Sequence, residues 1–213
     1  MIVKKIHRWN AILLAAFIVI HLINHVSGFW GIAKYSNVQD ALRIVYRNAF
    51  IEPILLTSSL VQIVFGGMLI YRGYKRLMKT GWGKVQVISG GLFLFFLAEH
   101  LLALVLARWV DGLDTNFYWP ASVMSGPPFT WYFIPYYVMG VAAVFTHVGC
   151  ALRLAFRRAG REAAGTVVAF AFIVFGFTLG ILIVSILLGT YYDIKLPQEW
   201  VAYLQRFVSS YTP

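Results

Sequence analysis

Five separate apolar runs, each about as long as a bilayer is thick, dominate this sequence of 213 residues. A helix rises about 1.5 Å per residue and a hydrocarbon core is about 30 Å thick, so roughly 20 apolar residues make one crossing. The runs are Ala11 to Trp30, Pro53 to Tyr71, Val85 to Ala107, Trp131 to Leu152 and Gly165 to Gly189. Backbone in lipid must satisfy its own hydrogen bonds, and a helix does so within one segment. The expectation is therefore an all-α integral membrane bundle of five transmembrane helices, a single bundle over residues 1–213. Charged residues are only 12% of the chain, against about 25% in a soluble domain, which excludes an ordinary soluble core. The first run is too long for a signal peptide and lacks a small-residue cleavage site, so it is expected to stay in the mature chain.

The net charge of +10 could point to nucleic acid until it is sorted by loop. One side of the membrane receives Lys4, Lys5, Arg8, Arg72, Lys75, Arg76, Lys79, Lys84, Arg153, Arg157, Arg158 and Arg161. The other receives Lys34, Arg43, Arg47, Arg108, Lys195 and Arg206, accompanied by Asp40, Glu52, Asp111, Asp114, Asp193 and Glu199. Cytoplasmic loops collect Lys and Arg, so the N-terminus is expected inside and the C-terminus outside, in a multi-pass protein of the cell's inner membrane. No nucleic-acid partner is needed to explain the charge. Trp9, Trp30, Trp82, Trp109, Trp119, Trp131 and Trp200 mark the expected water boundaries, as interfacial aromatics do. The long loops Gly31 to Glu52 and Arg108 to Thr130 are expected to form structured caps. Helical spacing predicts short interfacial helices over Val38 to Asn48 and Trp200 to Phe207. A single cysteine, Cys150, excludes a disulfide framework and any cysteine-rich metal site.

Chemistry has to come from the polar groups inside the spans, which are costly there unless paired: His21, His25, Gln62, Glu99, His100 and His147. Depth counting places His21 near the midplane, His25 about one turn further out and His100 in the outer half. Gln62 falls in the outer-to-middle region and His147 in the inner half, without an obvious companion. Neutral imidazole ligates haem iron, and histidines from two facing helices can clamp one iron axially. His21 or His25 with His100 meets that demand. The plainer reading is that each histidine hydrogen-bonds between helices, and a zinc or proton-relay site is a further alternative. Glycines beside these residues, among them Gly66, Gly67, Gly90, Gly91 and Gly140, would serve close helix packing or make room for a flat macrocycle.

Gly90 precedes His100 by ten residues, Gly140 begins the run that ends at His147, and Gln62-Ile-Val-Phe-Gly66 lies on the second span. With Lys5-Ile6-His7 and Ile20-His21-Leu22 on the first, this order resembles the five-helix, dihaem cytochrome b membrane subunit of succinate:menaquinone oxidoreductases and fumarate reductases. The resemblance implies one axial haem b pair at His21 and His100, and a second at the positions of Gln62 and His147. Glutamine is a poor haem ligand, so it supports one haem better than two, with His25 as an alternative ligand. It further implies a menaquinone or other quinone as redox partner, with Glu52 in quinone proton exchange. Iron–sulfur and flavoprotein subunits would dock on the arginine-rich cytoplasmic face, and any dicarboxylate chemistry would lie in those chains. Rival readings are a haem-free anchor or assembly factor, a stand-alone haem protein, alone or as a homo-oligomer, and a small transporter. No pair of broken half-helices recurs in matching halves, which argues against the last.

Overall fold

A computed structural model describes residues 2–213. Eight α-helices and no strand occur among the described residues: α1 Ile2–Ser27, α2 Ile32–Tyr46, α3 Ile51–Leu77, α4 Gly81–Val105, α5 Tyr118–Ser122, α6 Phe129–Arg158, α7 Glu162–Leu187 and α8 Gln198–Gln205. Five of them, α1, α3, α4, α6 and α7, are long and apolar enough to cross a membrane. Their large apolar side chains point outward, Val64, Val167, Phe170 and Val174 all being more than half exposed. Soluble monomers rarely show such continuous apolar surface, whereas a helix in lipid requires it. The chain is an all-α membrane bundle.

The five spans fall where the apolar runs predict, but their ends differ. α1 starts at Ile2 and α3 runs on to Leu77, because Lys4, Lys5, Arg8, Lys75 and Arg76 are good helix formers with long stems that reach water from the outermost turns. α4 ends at Val105 and widens into a π turn over Leu106–Val110, in which the Asp111 amide donates to the Leu106 carbonyl five residues back. α7 stops short of Gly189, which has φ of 75°. There the Thr190 amide donates to the Ser185 carbonyl and the Gly189 amide to that of Ile186, a Schellman ending that needs a residue able to turn left-handed. Gly160 ends α6 the same way.

Internal packing groups the chain into two compact units. The first comprises Met1–Leu14, Thr57–Glu99 and Val138–Ile181, the second Ala15–Leu56, His100–Tyr137 and Leu182–Pro213. In the first, α6 and α7 meet along a glycine seam. A Cβ on Gly176 would lie 2.7 Å from Phe145 Cβ and 3.2 Å from Ala142 Cα, and one on Gly180 would lie 3.0 Å from the Val138 oxygen. Such seams replace the missing hydrophobic drive between helices in lipid with close contact.

The second unit carries the short helices. α2 and α8 overlap the two stretches expected to hold interfacial helices but start earlier and end two residues sooner, and α5 is an additional turn that sequence periodicity does not mark. α8 buries Trp200, Val201 and Leu204. α2 is pinned by Arg43 and Arg47, which share the Asp114 carboxylate at 3.0–3.1 Å. Arg43, Arg47 and Gln39 also donate to Thr115.

Candidate functional site

The second unit gathers three histidines. His21 and His25 are one turn apart on α1, with ring centres 4.8 Å apart and edge-on. His100 on α4 faces His21 with ring centres 6.0 Å apart and planes at 69°. Phe17 stacks on His21 at 5.5 Å, Trp119 lies 5.4 Å from His100, and Tyr35 lies 5.7 Å from His25. The cluster is thus walled by aromatic rings. His25 is 9% exposed, and its buried Nδ1 has no hydrogen-bond partner among the described residues. An orphaned buried imidazole nitrogen is costly and calls for a partner from outside the chain.

Spacing decides which pair can work together. Two imidazoles on opposite faces of one iron, each bonded at about 2 Å, have ring centres roughly 6 Å apart. His21 and His100 have that separation and come from different helices. His21 and His25 share one helix face and cannot approach one metal from opposite sides. No group of three or more His, Cys, Asp or Glu side chains is arranged to hold a metal ion among the described residues. A bis-imidazole centre needs only two.

His147 and Gln62 lie in the first unit, together with His7. Asn10 donates to the Gln62 side-chain oxygen at 2.8 Å and to the Ser58 carbonyl at 2.7 Å. The Gln62 amide nitrogen lies 3.5 Å from His7 Nε2, and His147 Nδ1 lies 3.2 Å from the Gln86 carbonyl. Gln62 falls near the middle of α3, which runs on to Leu77. His147 likewise is not without polar company. His7 was absent from the expected site because its charged neighbours suggest a flank outside the span.

Glu52, in the first turn of α3, pairs with Arg108, and both side chains are largely buried. Glu52 is therefore a held carboxylate within the second unit, on the same unit as the three-histidine cluster. Phe17 and Trp119 were not signalled by the sequence, since one aromatic among many carries no mark of its contact. No family model, no curated protein and no solved structure matches this chain.

Proposed function

We propose that the chain is a membrane electron-transfer subunit that holds haem b between His21 and His100 and exchanges electrons with a quinone. The observation that carries this is the 6.0 Å facing of the two rings from different helices within an aromatic wall. The residues suit the group: the ligand spacing matches, the surround is apolar, and the orphaned Nδ1 of His25 lies beside His21 as a donor or acceptor for a bound molecule. The haem, when bound, supplies one-electron chemistry that no side chain here can perform.

The chain's own work would be ligation and shielding. His21 and His100 would both present neutral nitrogens, the form that binds iron. Phe17 and Trp119 would exclude water and lower the local dielectric, which tunes a redox potential. Glu52, bound to Arg108, would take and return the protons of a menaquinone or related quinone. Arg43 and Arg47 would stay committed to Asp114 and keep α2 closed over this unit.

Charge supports an orientation. The twelve cations of the helix ends and loops between α3 and α4 and between α6 and α7, with the start of α1, would face the cytoplasm of a bacterial-type inner membrane. That face would suit an acidic iron–sulfur partner, as the resemblance implies. Dicarboxylate chemistry, if coupled, would belong to other chains.

Purified protein, expressed with haem supplied, should give a reduced-minus-oxidised spectrum of low-spin haem b. His100→Ala should abolish that signal or convert it to high spin, while His25→Ala should leave the low-spin band. A colourless preparation, or an unchanged spectrum in His100→Ala, sinks the reading.

A further inference from the structure

We infer that Arg43 on α2 anchors a propionate carboxylate of the haem held between His21 and His100, through a guanidinium Nε–H that has no partner among the described residues. This rests on the haem reading above and names what holds the acidic edge of the bound group.

α2 turns a polar side inward. Tyr35, Gln39, Arg43 and Arg47 recur every four residues, which lines them along one side of the helix. Tyr35 and Gln39 are 2% and 6% exposed and the Arg43 side chain 15%, whereas Ile44 and Val45 are 78% and 52% exposed. A helix that buries polar groups while showing apolar ones covers something polar. α2 lies along α1 with His21 between its contacts. At one end Tyr35 meets His25, and at the other Tyr46 meets Phe17 edge-on at 5.7 Å. Phe17 is the ring stacked on His21, and the Tyr46 hydroxyl lies beside the Arg43 guanidinium.

Charge on this side is incompletely matched. Arg43 and Arg47 share the Asp114 carboxylate, while Asp40 stands 3.8 Å from Arg43 with its side chain 72% exposed, where water screens it. The two Nη groups of Arg43 are spent on Asp114 and on the Thr115 carbonyl, at 3.1 and 3.0 Å. A buried guanidinium needs full compensation, and a shared carboxylate leaves room for an added anion. Guanidinium N–H groups suit carboxylates above other acceptors. Asn24 Oδ1, a second orphaned atom in this unit, only accepts hydrogen bonds and cannot hold a carboxylate. Phe17 and Trp119, the rings against the His21 and His100 pair, carry no charge. Haem b carries its carboxylates on one edge of a flat ring, so that edge turns toward α2.

The test uses the whole chain, purified and loaded with haem b or with its dimethyl ester, which keeps the iron and the ring but has no carboxylate. Transfer to a haem-scavenging apoprotein gives the rate of loss. The unaltered chain should lose the ester about tenfold faster than haem b, the worth of one charged hydrogen bond. In Arg43→Gln, haem b should leave as fast as the ester. Its propionate bending band in the resonance Raman spectrum should move to the position of a free carboxylate, with the low-spin iron signature kept. Asp114→Ala opens the fastening of α2 but leaves the Arg43 Nε–H in place, so it should keep both the ester difference and the band. Equal loss of the two haems from the unaltered chain would overturn the inference while leaving His21 and His100 standing. So would an ester difference that survives in Arg43→Gln, or an Asp114→Ala that behaves like it. A chain that takes up neither haem overturns the haem reading itself. Should Arg43→Gln fail to fold, Arg43→Lys, which keeps the charge and loses the Nε–H, takes its place in the same comparison. A propionate band already at the free position in the unaltered chain overturns the anchor without any variant.

Discussion

The two units of this chain are held by different means. All of the formal charge of +10 belongs to the first, which has twelve cations against Glu99 and Glu162. There Arg153 pairs with Glu162 and also lies over the Trp82 ring at 4.7 Å. The second unit has six cations and six acids, and five ion pairs tie its loops and short helices together. The first therefore relies on glycine contact between long helices, and the second on shared charge around the helices that cap it. Unpaired cations cost little where they reach water, whereas a cap has to be fastened.

If that contrast is right, the largest effect comes from filling the seam of the first unit. Gly176→Leu puts a branched side chain where even a Cβ lies 2.7 Å from Phe145. Forcing bulk into a close-packed contact costs about 3 kcal/mol. Thermal unfolding in micelles should show the loss, and a variant as stable as the unaltered chain would break the glycine account.

Next comes the fastening of the second unit. Asp114→Ala removes the carboxylate shared by Arg43 and Arg47, whose side chains are 15% and 24% exposed. Charged hydrogen bonds are worth about 1.5–3 kcal/mol. Asp114 is itself half exposed, so solvent screening brings the expected cost to about 1–2 kcal/mol. The same residue predicts a pH effect. Burial pushes its carboxyl up, but hydrogen bonds and charge from Arg43 and Arg47 outweigh that and leave it below the usual value. A depressed carboxyl stabilises the fold above the ordinary carboxylate range, and that stability is lost as pH falls below about 4. Asp114→Asn should flatten this acid loss in unfolding measured between pH 6 and pH 3.

A smaller effect tests how the first unit starts a helix. The Thr80 hydroxyl accepts from the Gly83 amide at 3.0 Å, capping α4. Removing such a cap costs about 1 kcal/mol, so Thr80→Ala should rank below both Gly176→Leu and Asp114→Ala in a set of unfolding midpoints.

The five spans were legible because lipid leaves a chain few options: long apolar runs, aromatic boundaries and one-sided cations all report the same demand. Ends were not, since Lys4, Lys5 and Arg8 read as a flank yet continue α1. That misreading hid His7. At 100° per residue, His7, Asn10, Leu14, His21 and His25 fall within about 60° of arc on α1, a stripe that could have been found. The facing of His21 and His100 was readable from helix order and span position. Phe17 and Trp119 were not, because nothing in a sequence rich in aromatics tells which ring meets which imidazole.

The smallest expected effect is the most pointed check on the contrast itself. Arg157 is exposed at the end of α6 and has no acid partner among the described residues. An unpaired surface charge contributes little to stability, so Arg157→Gln should shift unfolding by no more than about 0.5 kcal/mol. Its near neighbour in sequence, Arg153, is bonded to Glu162 and Thr166 and packed on Trp82. Arg153→Gln should cost more than Arg157→Gln, by about 1 kcal/mol, since it strips a packed stem as well as a charge. Equal costs would mean that the ion pair adds nothing, and that the first unit is fastened by its helix contacts alone.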